Sequence, residues 1–172
     1  MIDETYHAPL IRQWPSVAER ANIAEHWLHR SATKYCSDVV CDWIRNLPSN
    51  MRDQKAELLL GPKQHSAEDR CSVIAAAILR NYHDAKVMPL RELFANSKRM
   101  EVPDVTALLI PDFYREGTTL MEWQISFLSS VVSSRHLKGK ATVLYVEDLG
   151  LMGKAYGNML YEHIREFYTT EK

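Results

Sequence analysis

Three short runs that are apolar at nearly every position, ELLL at 57–60, VTALLI at 105–110 and ATVLYV at 141–146, set the strongest limit on how this chain folds. Continuous apolar strands separated by helices are what a parallel sheet covered on both faces requires, each strand being buried above and below and each crossover helical. The stretches between the runs meet that requirement. Residues 68–82 carry Val73, Ile74, Ala77 and Ile78 at helical spacing, and 118–137 carry Leu120, Trp123, Phe127, Leu128 and Val131. Residues 153–168 carry Tyr156, Met159, Leu160, Ile164 and Phe167 in the same way. A shorter run at 85–88 and an amphipathic stretch at 90–98 add one more strand and one more helix. The pattern predicts a three-layer α/β domain, with a parallel sheet between two layers of helices.

Ahead of the first run, Ile23, Trp27, Leu28, Tyr35, Val39, Val40, Trp43, Ile44 and Leu47 recur at three- and four-residue steps. They predict helix over 22–47, continuous or broken near 31–33, and Pro48 is expected to end it. No internal repeat or Gly/Ser linker divides the chain, so residues 1–50 are read as an N-terminal helical extension packed on a core of 51–172. The four tryptophans fall mostly on helical stripes and are assigned to the core.

Composition narrows the function. With 172 residues and 46% hydrophobic content, the chain is long enough to bury roughly 70% of the surface it exposes unfolded, without disulfide or metal. Lys and Arg number 21 against 22 Asp and Glu, a net charge of -1, which excludes a polybasic protein that coats DNA. Three cysteines, an odd number, and an N-terminus that opens acidic and polar point to the cytoplasm. No apolar run approaches the ~20 residues of a membrane span.

In a parallel sheet the ligand site lies beyond the carboxyl ends of the strands. Those segments here begin GPKQHSAEDR, PDFYREG and EDLGLMGKAYG. Ile74-Ala75-Ala76-Ala77-Ile78, Leu108-Leu109-Ile110-Pro111-Asp112, Ser134-Arg135, Gly139-Lys140-Ala141-Thr142, Tyr156-Gly157 and Glu162-His163 follow in an order with a precedent. It resembles the AAA+ ATPase module of DnaC-type bacterial helicase loaders and related transposition helper ATPases, over about 21–167. The resemblance implies a P-loop NTPase-like (AAA+) sheet. Its partner would be a replicative helicase or another replication or transposition protein.

The same alignment implies lost chemistry. It puts Arg70 at the last loop glycine, Cys71 at the phosphate-binding lysine and Ser72 at the hydroxyl that would hold Mg²⁺. Gly61 and Pro62 open the loop, and its one lysine, Lys63, stands near the wrong end. Pro111 replaces the metal-binding aspartate, Asp112 the water-activating glutamate, Glu147 the polar sensor and His163 the arginine finger. The resemblance therefore implies a degenerate scaffold that has no cofactor, neither binds nor hydrolyses ATP, and acts as a monomer or dimer by docking. A phage or mobile element is its expected source.

Other constellations weigh less. Arg135, Lys138 and Lys140 offer a DNA or phosphate contact, but cations in a last helical turn ahead of Gly139 are better read as capping. His26, His29, Cys36 and Cys41 have zinc-ligand chemistry but are read as surface histidines and buried thiols. The enzyme alternatives are an ATPase with an atypical loop using Gly61, Lys63 and Ser72, and a Mg²⁺-dependent nuclease using Asp112 and Glu122.

Overall fold

The computed structural model describes residues 7–97 and 102–171. Its elements run in chain order as α1 (Ala8–Ile11), α2 (Trp14–Ala21), two 3-10 turns (Glu25–His29 and Ala32–Lys34), α3 (Asp38–Arg45) and α4 (Leu47–Arg52). There follow β1 (Glu57–Leu60), α5 (Ala67–Arg80), β2 (Ala85–Val87), α6 (Leu90–Ser97), β3 (Ala107–Tyr114) and α7 (Glu122–Leu137). The chain closes with β4 (Ala141–Val146), α8 (Leu149–Tyr156), α9 (Asn158–Phe167) and β5 (Thr169–Thr170). The last residue expected in α6, Lys98, lies outside the described residues.

The five strands form one parallel sheet in the order β2-β3-β4-β1-β5. Alternate strand residues point to opposite faces, and the core divides accordingly. Leu58, Leu60, Ala107, Leu109, Ala141 and Val143 pack with α5 and the N-terminal helices. Leu59, Leu108, Ile110, Leu144 and Val146 pack with α6, α7, α8 and α9. The apolar runs are thus explained by two separate cores, one on each side of the sheet.

Departures from the sequence pattern have local causes. Residues 22–47 are not one helix: Asn22 takes a left-handed conformation (φ 58) that ends α2, and Pro48 lies in the first turn of α4, where its missing N–H costs nothing. The stripe read as one helix is assembled from turns and short helices that share a buried side. The predicted final helix is two, divided at Gly157 (φ 95). Helix α7 begins later than expected because Gln124 Oε1 accepts from the Met121 backbone N–H (2.8 Å).

Strand β3 runs four residues beyond the expected end, through Pro111. Ile110 pairs with Leu144 but Tyr114 with Val146, so three residues of β3 face one of β4. Proline has no N–H to give the ladder, and a bulge is where a sheet tolerates it.

Arg135 joins the base of the sheet to α7. Its guanidinium is buried and donates to the carbonyls of Val105, Thr106 and Ala141 and to Thr142 Oγ1. Gly139 then turns the chain into β4 at φ 62, and an added Cβ would lie 3.0 Å from the Met51 carbonyl oxygen. The turn demands glycine on both counts. Gly139→Ala is expected to lower urea-unfolding stability by about 1–2 kcal/mol, whereas Gly61→Ala, with open space around its Cβ and no left-handed φ, should change it by less than about 0.5 kcal/mol.

Candidate functional site

The crossing from β1 to α5 is where a sheet of this order would hold a phosphate group, because helix N-termini present free N–H groups and a positive dipole end. The loop spans 61–66, and α5 starts at Ala67 with Ser66 as its cap, Oγ accepting from the Asp69 N–H (3.1 Å). Cys71 and Ser72 therefore lie in the second turn, not at the helix start. Counting from Gly61, the positions of a GxxxxGK[ST] loop fall on Ser66, Ala67 and Glu68. The loop has the length for phosphate binding and lacks the chemistry: an alanine stands where lysine would reach the phosphates. Lys63 is exposed, with Pro62 before it.

Backbone conformation agrees. Phosphate loops wrap their ligand with successive N–H groups, which requires residues alternating into the left-handed region. The positive-φ residues in the described chain all lie outside 61–66.

The space beside the loop is filled by the chain itself. Arg70, fully buried, donates to the Gly61 carbonyl (2.7 Å) and to Glu171 Oε2, whose side chain is also buried. The second carboxylate oxygen of Glu171 accepts from the Ser37 N–H (3.4 Å), and the Glu171 N–H donates to the Leu59 carbonyl (3.0 Å). Cys36 sits against Arg70, and burial pushes its thiol up to about 12, with Arg70 opposing. The Tyr35 ring lies 4.7 Å from that of His65 in the loop.

Charge at this end of the sheet is unfavourable to an anion. Glu68 and Asp69 occupy the first turn of α5, Asp112 and Glu116 lie at and after the end of β3, and Glu147 and Asp148 follow β4. Against them stand Lys63, Arg91 and Arg115, and Arg115 is already paired with Glu68.

The remaining expected site positions have structural partners. Pro111 is buried in the bulge. Asp112 Oδ1 accepts from the Leu90 N–H (2.8 Å) and so pins the start of α6, and burial pushes its carboxyl up. Glu147 Oε2 accepts from the Glu116 N–H (2.7 Å), holding the loop after β3 against the end of β4.

His163 lies at the opposite end of the sheet, 5.4 Å ring to ring from His136, whose Nδ1 meets Glu57 Oε1 at 2.7 Å at the start of β1. Burial pushes the His163 imidazole down, which favours the neutral form. Of the three cations considered for DNA, Arg135 is turned inward and Lys140 pairs with Asp104, leaving Lys138 exposed at the end of α7.

Glu122 is exposed on α7 while Asp112 caps α6, and among the described residues no group of three His, Cys, Asp or Glu is arranged to hold a metal ion. His29 instead packs edge-on to Trp14, and His26 tilts against Trp27. The residues present do not fit a nucleoside triphosphate with its magnesium ion.

Sequence reading missed two features. Glu171 carried no motif, since its role arises only when β5 lies beside β1. Trp123, assigned to the core by its spacing, is 51% exposed.

No protein-family model and no curated protein matches the chain. Solved structures do. The chain is similar to the DnaC helicase loader at 14% identity and TM-score 0.62, covering 86% of this chain and 98% of that one. It is similar to DnaI at 14% identity and TM-score 0.57, covering 86% and 89%. The replication initiator DnaA, bound to AMPPCP and single-stranded DNA, matches at 11% identity and TM-score 0.58, covering 78% of this chain and 44% of that one. Identities of this size carry the fold alone, and the fold is like that of the DnaC and DnaI structures.

Removing one member of the buried pair strands the other's charge. Glu171→Ala is expected to cost about 3–5 kcal/mol in urea unfolding, and the apolar pair Arg70→Met with Glu171→Leu to recover most of it. A Glu171→Ala cost below about 1 kcal/mol would show that the pair does not close the site.

Proposed function

We propose that the chain is a helicase-loader-like adaptor in the DNA replication of a phage or mobile element, which binds a replicative helicase and does not turn over nucleotide. The observation that carries this reading is the closure of the β1–α5 crossing by Arg70 and Glu171 within an otherwise intact DnaC-like sheet. A loader that cycles needs a phosphate loop, a lysine and a metal-binding carboxylate. Here the fold is kept and each of those positions has passed to a structural task. What selection can still act on is surface.

The fold leaves ample surface for docking. Both edges of the sheet are short strands, β2 of three residues and β5 of two, which limits pairing with a foreign strand. Docking is therefore assigned to side-chain surfaces. With nucleotide and arginine finger both missing as subunit glue, the adaptor acts as a monomer or dimer.

The test is sedimentation of the purified chain with the host's replicative helicase, with ATP and Mg²⁺ or after enzymatic removal of all nucleotide. A complex of equal affinity in both conditions, with no ATP hydrolysis above that of the helicase alone, is the expected result. Hydrolysis by the isolated chain that disappears in Lys63→Ala would instead identify an ATPase with an atypical loop.

A further inference from the structure

Three titratable side chains meet at the amino ends of the strands, where β1, α7 and α9 come together. Glu57 of β1 is buried, and its Oε1 meets Nδ1 of His136 on α7 at 2.7 Å. The His163 ring of α9 stands edge-on to that of His136 at 5.4 Å. Phe167 packs on both, its ring 4.2 Å from His136 and 5.0 Å from His163. Two atoms of the cluster, Glu57 Oε2 and His163 Nε2, are buried without a hydrogen-bond partner among the described residues.

The cluster sets one carboxylate against two imidazoles. A first proton is accommodated, because on His136 it turns an existing hydrogen bond to Glu57 into an ion pair. A second has no such place. Protonating His163 puts an N–H on both ring nitrogens, and the one at Nε2 is buried with no acceptor. It also brings two cations together beside a single carboxylate, with the buried guanidinium of Arg135 adjoining on α7. The other groups that bear on this position relieve it little. Glu166 favours the imidazolium but is exposed, β4 contributes the neutral Thr142, and burial keeps the Tyr168 phenol neutral.

We infer that Glu57, His136 and His163 form an acid-sensitive latch, which holds α9 against α7 with one proton and with a second releases the end of α9 together with β5 and Glu171. The connection is covalent and short: β5 follows α9 across Tyr168, and Glu171 after it closes on Arg70. Acid would thereby free the side chain that fills the β1–α5 crossing. The device goes beyond the adaptor reading and does not depend on it.

The sign follows from linkage. Burial, and then His136, push the His163 imidazole below its ordinary value of 6.5. The unfolded chain takes up that proton first as the pH falls, so the native state loses stability from about 6.5 downward to the native value. Glu57 works in the opposite sense, since burial pushes its carboxyl up and the native state takes up its proton first. A change at His163 alone separates the two.

The test is amide hydrogen exchange of the full chain from about pH 7.5 to about pH 5.5, corrected for the intrinsic pH dependence of exchange. In the wild type the Glu171 amide, which donates to the Leu59 carbonyl, is expected to exchange about tenfold faster at the acid end relative to the amides of β4. In His163→Phe, which suits the aromatic surroundings and takes no proton, the ratio is expected to stay flat. His136→Gln keeps a donor for Glu57 but cannot be charged, and is expected to reduce the rise at least about threefold. No rise in the wild type, an equal rise in β4, or the wild-type rise in either variant overturns the inference.

Discussion

One buried ion pair ties together three parts of the chain that are distant in sequence. Arg70 reaches from α5 to the start of the loop at Gly61 and to Glu171 at the end of β5, and Glu171 in turn holds the N–H of Ser37 in the N-terminal segment. Such a pair contributes little net stability, because desolvating both charges offsets their attraction. Its effect is on specificity: once Arg70 is buried, only an arrangement that brings Glu171 beside it is tolerable. Loop, edge strand and N-terminal segment are thereby fixed to one another without a ligand.

The sheet was legible in the sequence because burial on both faces leaves short, nearly continuous apolar runs, here separated by amphipathic stretches. β1 and β4 lie where their apolar runs are, and the DnaC-like order of motifs matched the fold. What escaped was set by contacts between remote segments. Pro111 looked like the end of a strand and is a bulge within one, since a neighbouring strand can skip a proline that the sequence pattern cannot. Aligning on Ile74-Ala75-Ala76-Ala77-Ile78 put the loop's end at Arg70, whereas the Ser66 cap starts the helix one turn earlier. Either alignment leaves no lysine at the GxxxxGK position; which residues occupy the loop's end could be read only from the helix start. Trp123 shows the limit of periodicity, which places a residue on a stripe without saying whether the next helix covers that end of it.

The two ends of the sheet have diverged in character. At the carboxyl ends of the strands, carboxylates take over backbone donors: Asp112 holds Leu90, Glu147 holds Glu116 and Asp148 holds Leu151 (2.7 Å). At the amino ends, Arg135 gathers backbone carbonyls, and His136 pairs with Glu57. Both are solutions to the same problem, satisfying backbone and charge at the ends of a sheet. The acidic solution places carboxylates around the carboxyl ends of the strands, where an anion would meet charge of its own sign.

The most direct measurement is an amide ¹H–¹⁵N titration of the full chain with ATP and Mg²⁺, following Gly61 and Lys63 to Ala67. These resonances are expected to stay in place at millimolar nucleotide, since Arg70 and Glu171 are buried against each other beside the loop and Glu68 and Asp69 oppose an anion. Saturable shifts confined to this loop and the first turn of α5 would contradict it.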